Sequence, residues 1–241
     1  LRDSKTEHRT RRAMKLNPAY VGPRPDVAAL IPERCTRFLD LGCATGALGE
    51  LIKRSRQGIS VVGIELDPHM ATAARVKLDR VITGDILNVL TSNTLVEERF
   101  DCIIAADVLE HLSDPWTVVG ALPRLLADQG VVIASIPNIR HYTTFRTLLF
   151  RKHWPYRDRG IHDRTHVRFF AQRNVEQLFV NAGFHIDRLR RNYRVFERPY
   201  RVNRYSRLLA IPPLRDLLTY QYLIVASPRH PRRAGATSAV G

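Results

Sequence analysis

The stretch Phe38-Leu39-Asp40-Leu41-Gly42-Cys43-Ala44-Thr45-Gly46 constrains this chain more than any other. A short apolar run ends in small residues and opens into a helical pattern over 46–56, closed by Gly58. That sequence of events describes a buried strand, a tight turn and a helix whose first N–H groups face whatever lies over the turn. The motif is followed by more of the same kind. Residues 59–64 read as a second apolar strand, and 68–77 as a helix with Asp67 as cap and Pro68 at its first position. Further strands are expected at 80–83, 100–106 and 131–136, the last two separated by a helix opening at Asp114-Pro115. Apolar strands spaced by helices form βαβ units, so the expectation is an α/β, doubly wound sheet covered on both faces.

Beyond residue 136 the pattern changes. A helix is expected over 142–150, a polar loop over 151–168 and a helix over 172–182 stopped by Gly183. Residues 184–195 and 221–226 read as a closing antiparallel pair. Three parts follow: a basic, proline-marked arm over 1–35; a main domain over 36–228, with an acceptor-side loop at 140–170 and a helical insertion at 198–219; and a disordered tail over 229–241. At 241 residues and 44% apolar composition, such a domain buries a core without disulfides. Cys35, Cys43 and Cys102 show no C-x-x-C pairing, which argues against a zinc cluster and favours a reducing, cytoplasmic setting. No apolar run is as long as a membrane span.

The turn at 42–46 alone indicates a nucleotide-like ligand. Glu65, nineteen residues after Gly46 and at the end of the next strand, adds a carboxylate able to accept hydrogen bonds from two ribose hydroxyls. Thr83-Gly84-Asp85-Ile86 then sets a carboxylate and an apolar side chain where an adenine would lie. The series FLDLGCATG, GIELDP, TGDI and FDCIIAADVLEHL, in this order, resembles the Rossmann-like methyltransferases that use S-adenosylmethionine. The resemblance runs over about 36–226 and implies a seven-stranded, mostly parallel sheet with a reversed last strand. It places Asp40, Gly42 and Gly46 beside the methionine part, Glu65 on the ribose, and Asp85 with Ile86 at the adenine. Cys43, Leu66 and Asp107 complete the expected cofactor contacts. Ala44 departs from the family's middle glycine.

Asp107, Glu110 and His111 have spacing i, i+3, i+4, one face of a helix, and two carboxylates with an imidazole suit magnesium or manganese. The segment Asp107-x-x-Glu110-His111 resembles the E-x-x-E-H motif of metal-dependent O-methyltransferases of ubiquinone synthesis and of small-RNA 2′-O-methyltransferases. That resemblance implies His166 as a further ligand. A hydroxyl is a weak nucleophile at neutral pH, and a cation lowers its pKa. His141 is the expected general base, with His162 a second choice, and His111 is expected to be indispensable.

The segments 136–141, 160–170 and 182–184 resemble bacterial methyltransferases of sugar and polysaccharide modification, which makes a sugar or oligosaccharide hydroxyl the expected acceptor. An RNA ribose and a small quinone-type or natural-product hydroxyl stand as alternatives, and a non-enzymatic cofactor sensor as a further one. The net charge is +15, and nine arginines lie between Arg188 and Arg215 against one acidic residue, Glu197. Such a strip fits phosphates or an ordinary solvated face. The leucines of 207–218 are expected to serve core packing or a homodimer contact ahead of a membrane surface.

Overall fold

A computed structural model describes residues 22–197, 200–212 and 214–229. Seven strands form one sheet: β1 (Arg37–Leu41), β2 (Ser60–Glu65), β3 (Arg80–Thr83), β4 (Phe100–Ala106), β5 (Leu126–Pro137), β6 (Phe184–Tyr193) and β7 (Thr219–Pro228). Their spatial order is β3-β2-β1-β4-β5-β7-β6. The first five run parallel, while β7 lies antiparallel between β5 and β6. The expected seven-stranded sheet with a reversed last strand is the fold found.

Side chains alternate between two cores, one on each face of the sheet. Phe38, Val61, Leu223 and Val225 join the core under the helix Ala47–Ser55. Leu39, Leu41, Ile224 and Tyr222 join the opposite one, which is covered by Ile86–Thr91, Pro115–Ala121 and Gln172–Asn181. The order of strands reverses between β1 and β4, and a ligand crevice opens there at the strands' carboxyl ends.

Two segments behave differently from their expected character. From Pro25 onward the presumed arm joins the fold, with Val27, Leu30, Ile31 and Cys35 buried in the first core. Residues 1–21 and the expected tail from 230 lie outside the described residues. The insertion forms a 3₁₀ turn Arg201–Tyr205 and two short helices, Ser206–Leu209 and Arg215–Leu218. Its apolar side is not in the core: Leu208 is 77% exposed and Leu209 54%. No helix among the described residues is long and apolar enough to cross a membrane.

Candidate active site

The turn after β1 is built from left-handed backbone. Gly42, Ala44 and Gly46 have φ of +66°, +47° and +75°. A Cβ on Gly42 would come within 2.8 Å of Val108, so glycine is required there by both conformation and space. Ala44 takes the same conformation with a side chain, at a strain of about 1–2 kcal/mol. Glu65 holds the turn in shape: its Oε2 accepts from the Ala44 N–H at 2.8 Å and its Oε1 from the Asp67 N–H at 2.9 Å. Each oxygen keeps a lone pair for a further donor.

Asp40 is buried beneath this turn, and desolvation with the neighbouring Glu65 charge raises its pKa to about 7. Asp85 caps the helix Ile86–Thr91 by accepting from Asn88 N–H, leaving one carboxylate oxygen uncommitted to that cap, while Ile86 is buried beside it. Leu66 is exposed at the end of β2. Cys43 is turned away from the crevice. Its thiol packs where a side chain on Gly63 would sit, and its N–H donates to the Ile64 carbonyl.

Asp107 does not share a helical face with Glu110 and His111. The chain leaves β4 through Asp107 at φ +56°, and the turn that follows, Leu109–His111, is 3₁₀. Aspartate tolerates that conformation, and its N–H is held by Ser135. Its carboxylate is taken up by Ser135 Oγ at 2.9 Å and by close contacts to Arg24 and Gln221, so it stands apart from the metal-ligand set. Arg24, which the sequence pattern did not single out, is clamped in turn by both oxygens of Asp26, at 2.9 and 3.0 Å. No spacing signals that residue; the fold alone carries it to the carboxyl ends of β4 and β5.

Glu110, His111 and His166 do converge, with donor atoms within 4.8 Å of one another. Glu110 is 1% exposed, its Oε1 is 3.9 Å from His166 Nε2, and its Oε2 has no protein partner. Burial and the Asp107 charge push its pKa well above the usual carboxylate range. The two imidazoles meet edge to face at 4.7 Å. His166 Nδ1–H donates to the Ile161 carbonyl at 3.1 Å. His111 Nδ1 lies 3.3 Å from the Thr165 carbonyl and 3.0 Å from its hydroxyl, which itself donates to Asp163. With a carbonyl on Nδ1, each ring presents Nε2 as an acceptor, the arrangement that orients histidines toward metals. Desolvation keeps both neutral: His111 is lowered, and burial with the neighbouring His111 brings His166 to about 4. A buried orphan carboxylate oxygen beside two oriented, neutral imidazoles fits a divalent cation.

His141 is not brought to this group. It is fully buried, its Nε2–H donates to the Arg194 carbonyl at 2.8 Å, and its Nδ1 accepts from the Thr143 hydroxyl at 2.9 Å. With both nitrogens committed it anchors the acceptor-side loop and has no lone pair to offer as a base. His162 is likewise fully buried, bonded to Thr144 at 3.1 Å and 3.4 Å from Glu197.

The sequence signature described as a methyltransferase domain matches residues 6–189. The chain belongs to the methyltransferase domain family. It is 31% identical over 163 residues to a ubiquinone biosynthesis O-methyltransferase of Cereibacter sphaeroides, covering 66% of this chain and 64% of that protein. A protein of the same name from Psychrobacter arcticus is 29% identical over 155 residues, 61% and 58% of the two chains. The chain thus spans under two thirds of the length of these relatives. A solved S-adenosylmethionine-dependent methyltransferase of Thermotoga maritima, a possible histamine N-methyltransferase, superposes with a TM-score of 0.60 at 17% identity, covering 88% of this chain and 89% of that one. Another, from Archaeoglobus fulgidus, gives 0.56 at 18%, covering 80% and 86%. At these identities the structural likeness speaks for the fold alone.

Proposed function

We propose that this methyltransferase transfers a methyl group from S-adenosylmethionine to an aromatic hydroxyl of quinone-precursor type, with a divalent cation held by Glu110, His111 and His166. The observation that carries this reading is the unpartnered Glu110 oxygen, buried between two imidazoles whose outer nitrogens are already fixed. The ubiquinone biosynthesis relatives favour a quinone precursor over a sugar as acceptor. The rim supports the same direction. Phe145, Leu148, Val167 and Phe169 are 40–49% exposed around the acceptor-side loop, a surface better suited to a weakly polar ring than to a sugar.

S-adenosylmethionine brings a methyl group already attached to a good leaving group, so the protein's task is mainly to align it with the acceptor. Glu65 would take the ribose hydroxyls, Asp85 and Ile86 the adenine. Arg24 is the cation beside the turn able to meet the methionine carboxylate, in exchange for part of its hold on Asp107. A bound cation would supply the polarisation that a phenolic hydroxyl, with pKa near 10, needs at neutral pH.

The test is methyl transfer to a catechol and to a methyl glycoside, each with and without exhaustive chelation. Turnover of the catechol that is lost on chelation and restored by magnesium or manganese is the expected result. Full activity in chelator overturns the metal, and turnover confined to the glycoside overturns the acceptor. Calorimetric titration of manganese into the protein and into Glu110→Gln gives a readout independent of turnover.

A further inference from the structure

The arginine strip is unused by the reaction described above, and the structure gives it a shape. A groove of about 690 Å³ opens along β6, the edge strand, against the 200–207 segment. Arg190, Arg191, Arg194 and Arg207 line it together with Tyr200 and Ser206, and no carboxylate is among its lining residues. The one acidic residue of the strip, Glu197, is spent elsewhere, on Arg157 at 2.5 Å. Arg190 and Arg207 are exposed and have no ion pair among the described residues. Arg191 is bonded to Gln172 at 2.6 Å and Arg194 lies over the Tyr220 ring, which leaves Arg190 and Arg207 as the two guanidinium groups turned to an anion in the groove.

Directly beyond Arg207 stand Leu208, Leu209 and Ile211, 77%, 54% and 53% exposed, with Leu214 at 43%. A contiguous apolar tip beside a basic groove is unlike a solvated face. RNA would account for the arginines and leave the leucines unexplained. A second copy packed on the same patch would set one arginine strip against another. We infer that the groove binds the phosphate of an anionic phospholipid headgroup while Leu208, Leu209 and Ile211 enter the acyl boundary beside it.

The groove is tied to the active site. Asn192 on β6 donates to Asp26, which clamps Arg24, and the Arg194 carbonyl accepts from His141. Docking at β6 therefore places at the bilayer a strand bonded to both the Arg24 clamp and the acceptor-side loop. The consequence that a lipid-soluble acceptor is met there rests on the proposed function; the binding does not.

Flotation of the full chain with vesicles, without acceptor or cofactor, tests it. Vesicles of phosphatidylcholine with about a third phosphatidylglycerol should carry the protein, and phosphatidylcholine alone should not. Arg190→Gln with Arg207→Gln should weaken binding by about 25-fold at low salt, roughly fivefold per charge. Leu208→Ser with Leu209→Ser should remove the fraction of binding that survives high salt. Both pairs should keep wild-type affinity for S-adenosylhomocysteine, which reports an intact fold. The proposal is overturned by absent or charge-independent vesicle binding, or by glycerol phosphate binding without vesicle binding. It is equally overturned by tight polyribonucleotide binding in place of vesicles, or by a dimer that the leucine pair disrupts.

Discussion

The two halves of the crevice are made differently. The proposed cofactor half lies within residues 40–86 and is shaped by backbone: left-handed residues at 42, 44 and 46, and a Glu65 carboxylate accepting from the N–H groups of Ala44 and Asp67. The acceptor half is assembled from side chains far apart in the chain. Glu110 and His111 meet His166, and the loop carrying His166 is fastened by polar contacts, the buried His141 to Arg194 and Arg157 to Glu197. Backbone sites are set by local conformation and tolerate little change in place. Side-chain sites depend on loops that must be held by networks of their own.

The largest test of this division is His111→Ala. Activity should fall by at least about 10²-fold, the scale of losing one electrostatic stabiliser, while calorimetry shows S-adenosylhomocysteine affinity within about threefold of wild type, a shift below ~0.7 kcal/mol. Loss of cofactor binding in that variant would mean the halves are not separable.

Next is the fastening of the acceptor half. Burial opposes ionisation of Glu197, yet the adjacent His162 and Thr143 and the charge of Arg157, 2.5 Å away, hold its pKa down to about 2. A carboxylate lowered on folding contributes its stability above the ordinary value near 4.5, and loses it as pH falls toward 2. The contribution is on the order of 3 kcal/mol. Glu197→Gln should therefore lower stability at pH 7 and flatten the stability profile between pH 4.5 and 2, measured by denaturant unfolding. An unchanged acid limb would remove Glu197 as the fastener.

A smaller effect belongs to the cofactor half. Asp40 has a pKa of about 7 in the unliganded protein because burial and Glu65 disfavour its charge. A cationic sulfonium favours the ionised form, so S-adenosylmethionine affinity should rise as pH increases through 7 and level above it. The limit is about tenfold per pH unit, and Asp40→Asn should abolish the slope. The smallest expected change is at Ala44, whose φ of +47° is relieved by glycine. Ala44→Gly should stabilise the fold by about 1 kcal/mol and raise the Tm by roughly 2–4 °C. A lower Tm would show that the alanine methyl is packed rather than strained.

Legibility in the sequence followed the same division. The strands at 80–83 and 100–106 were readable to the residue, because runs of buried residues bounded by glycine and polar turns report a parallel sheet directly. Glu65 and Asp85 were proposed from their distance to the glycine turn, and the fold sets them at the end of β2 and just past the end of β3. On the acceptor side, helical spacing grouped Asp107 with Glu110 and His111, and the left-handed turn at Asp107 broke that grouping. His141 looked like a base because histidine in a loop after a strand often is one; burial and two hydrogen bonds gave it a structural task instead.

By itself the sequence determined the sheet, the order of its strands in the chain, the cofactor turn and the methyltransferase family, since each depends on residues near one another or on a repeated burial pattern. Only the tertiary structure decided that Arg24 reaches Asp107 across 83 positions, that Asp107 turns away from Glu110 and His111, and that the insertion's leucines face outward. Those outcomes depend on which side chains the packed sheet brings together, and no local periodicity carries that information.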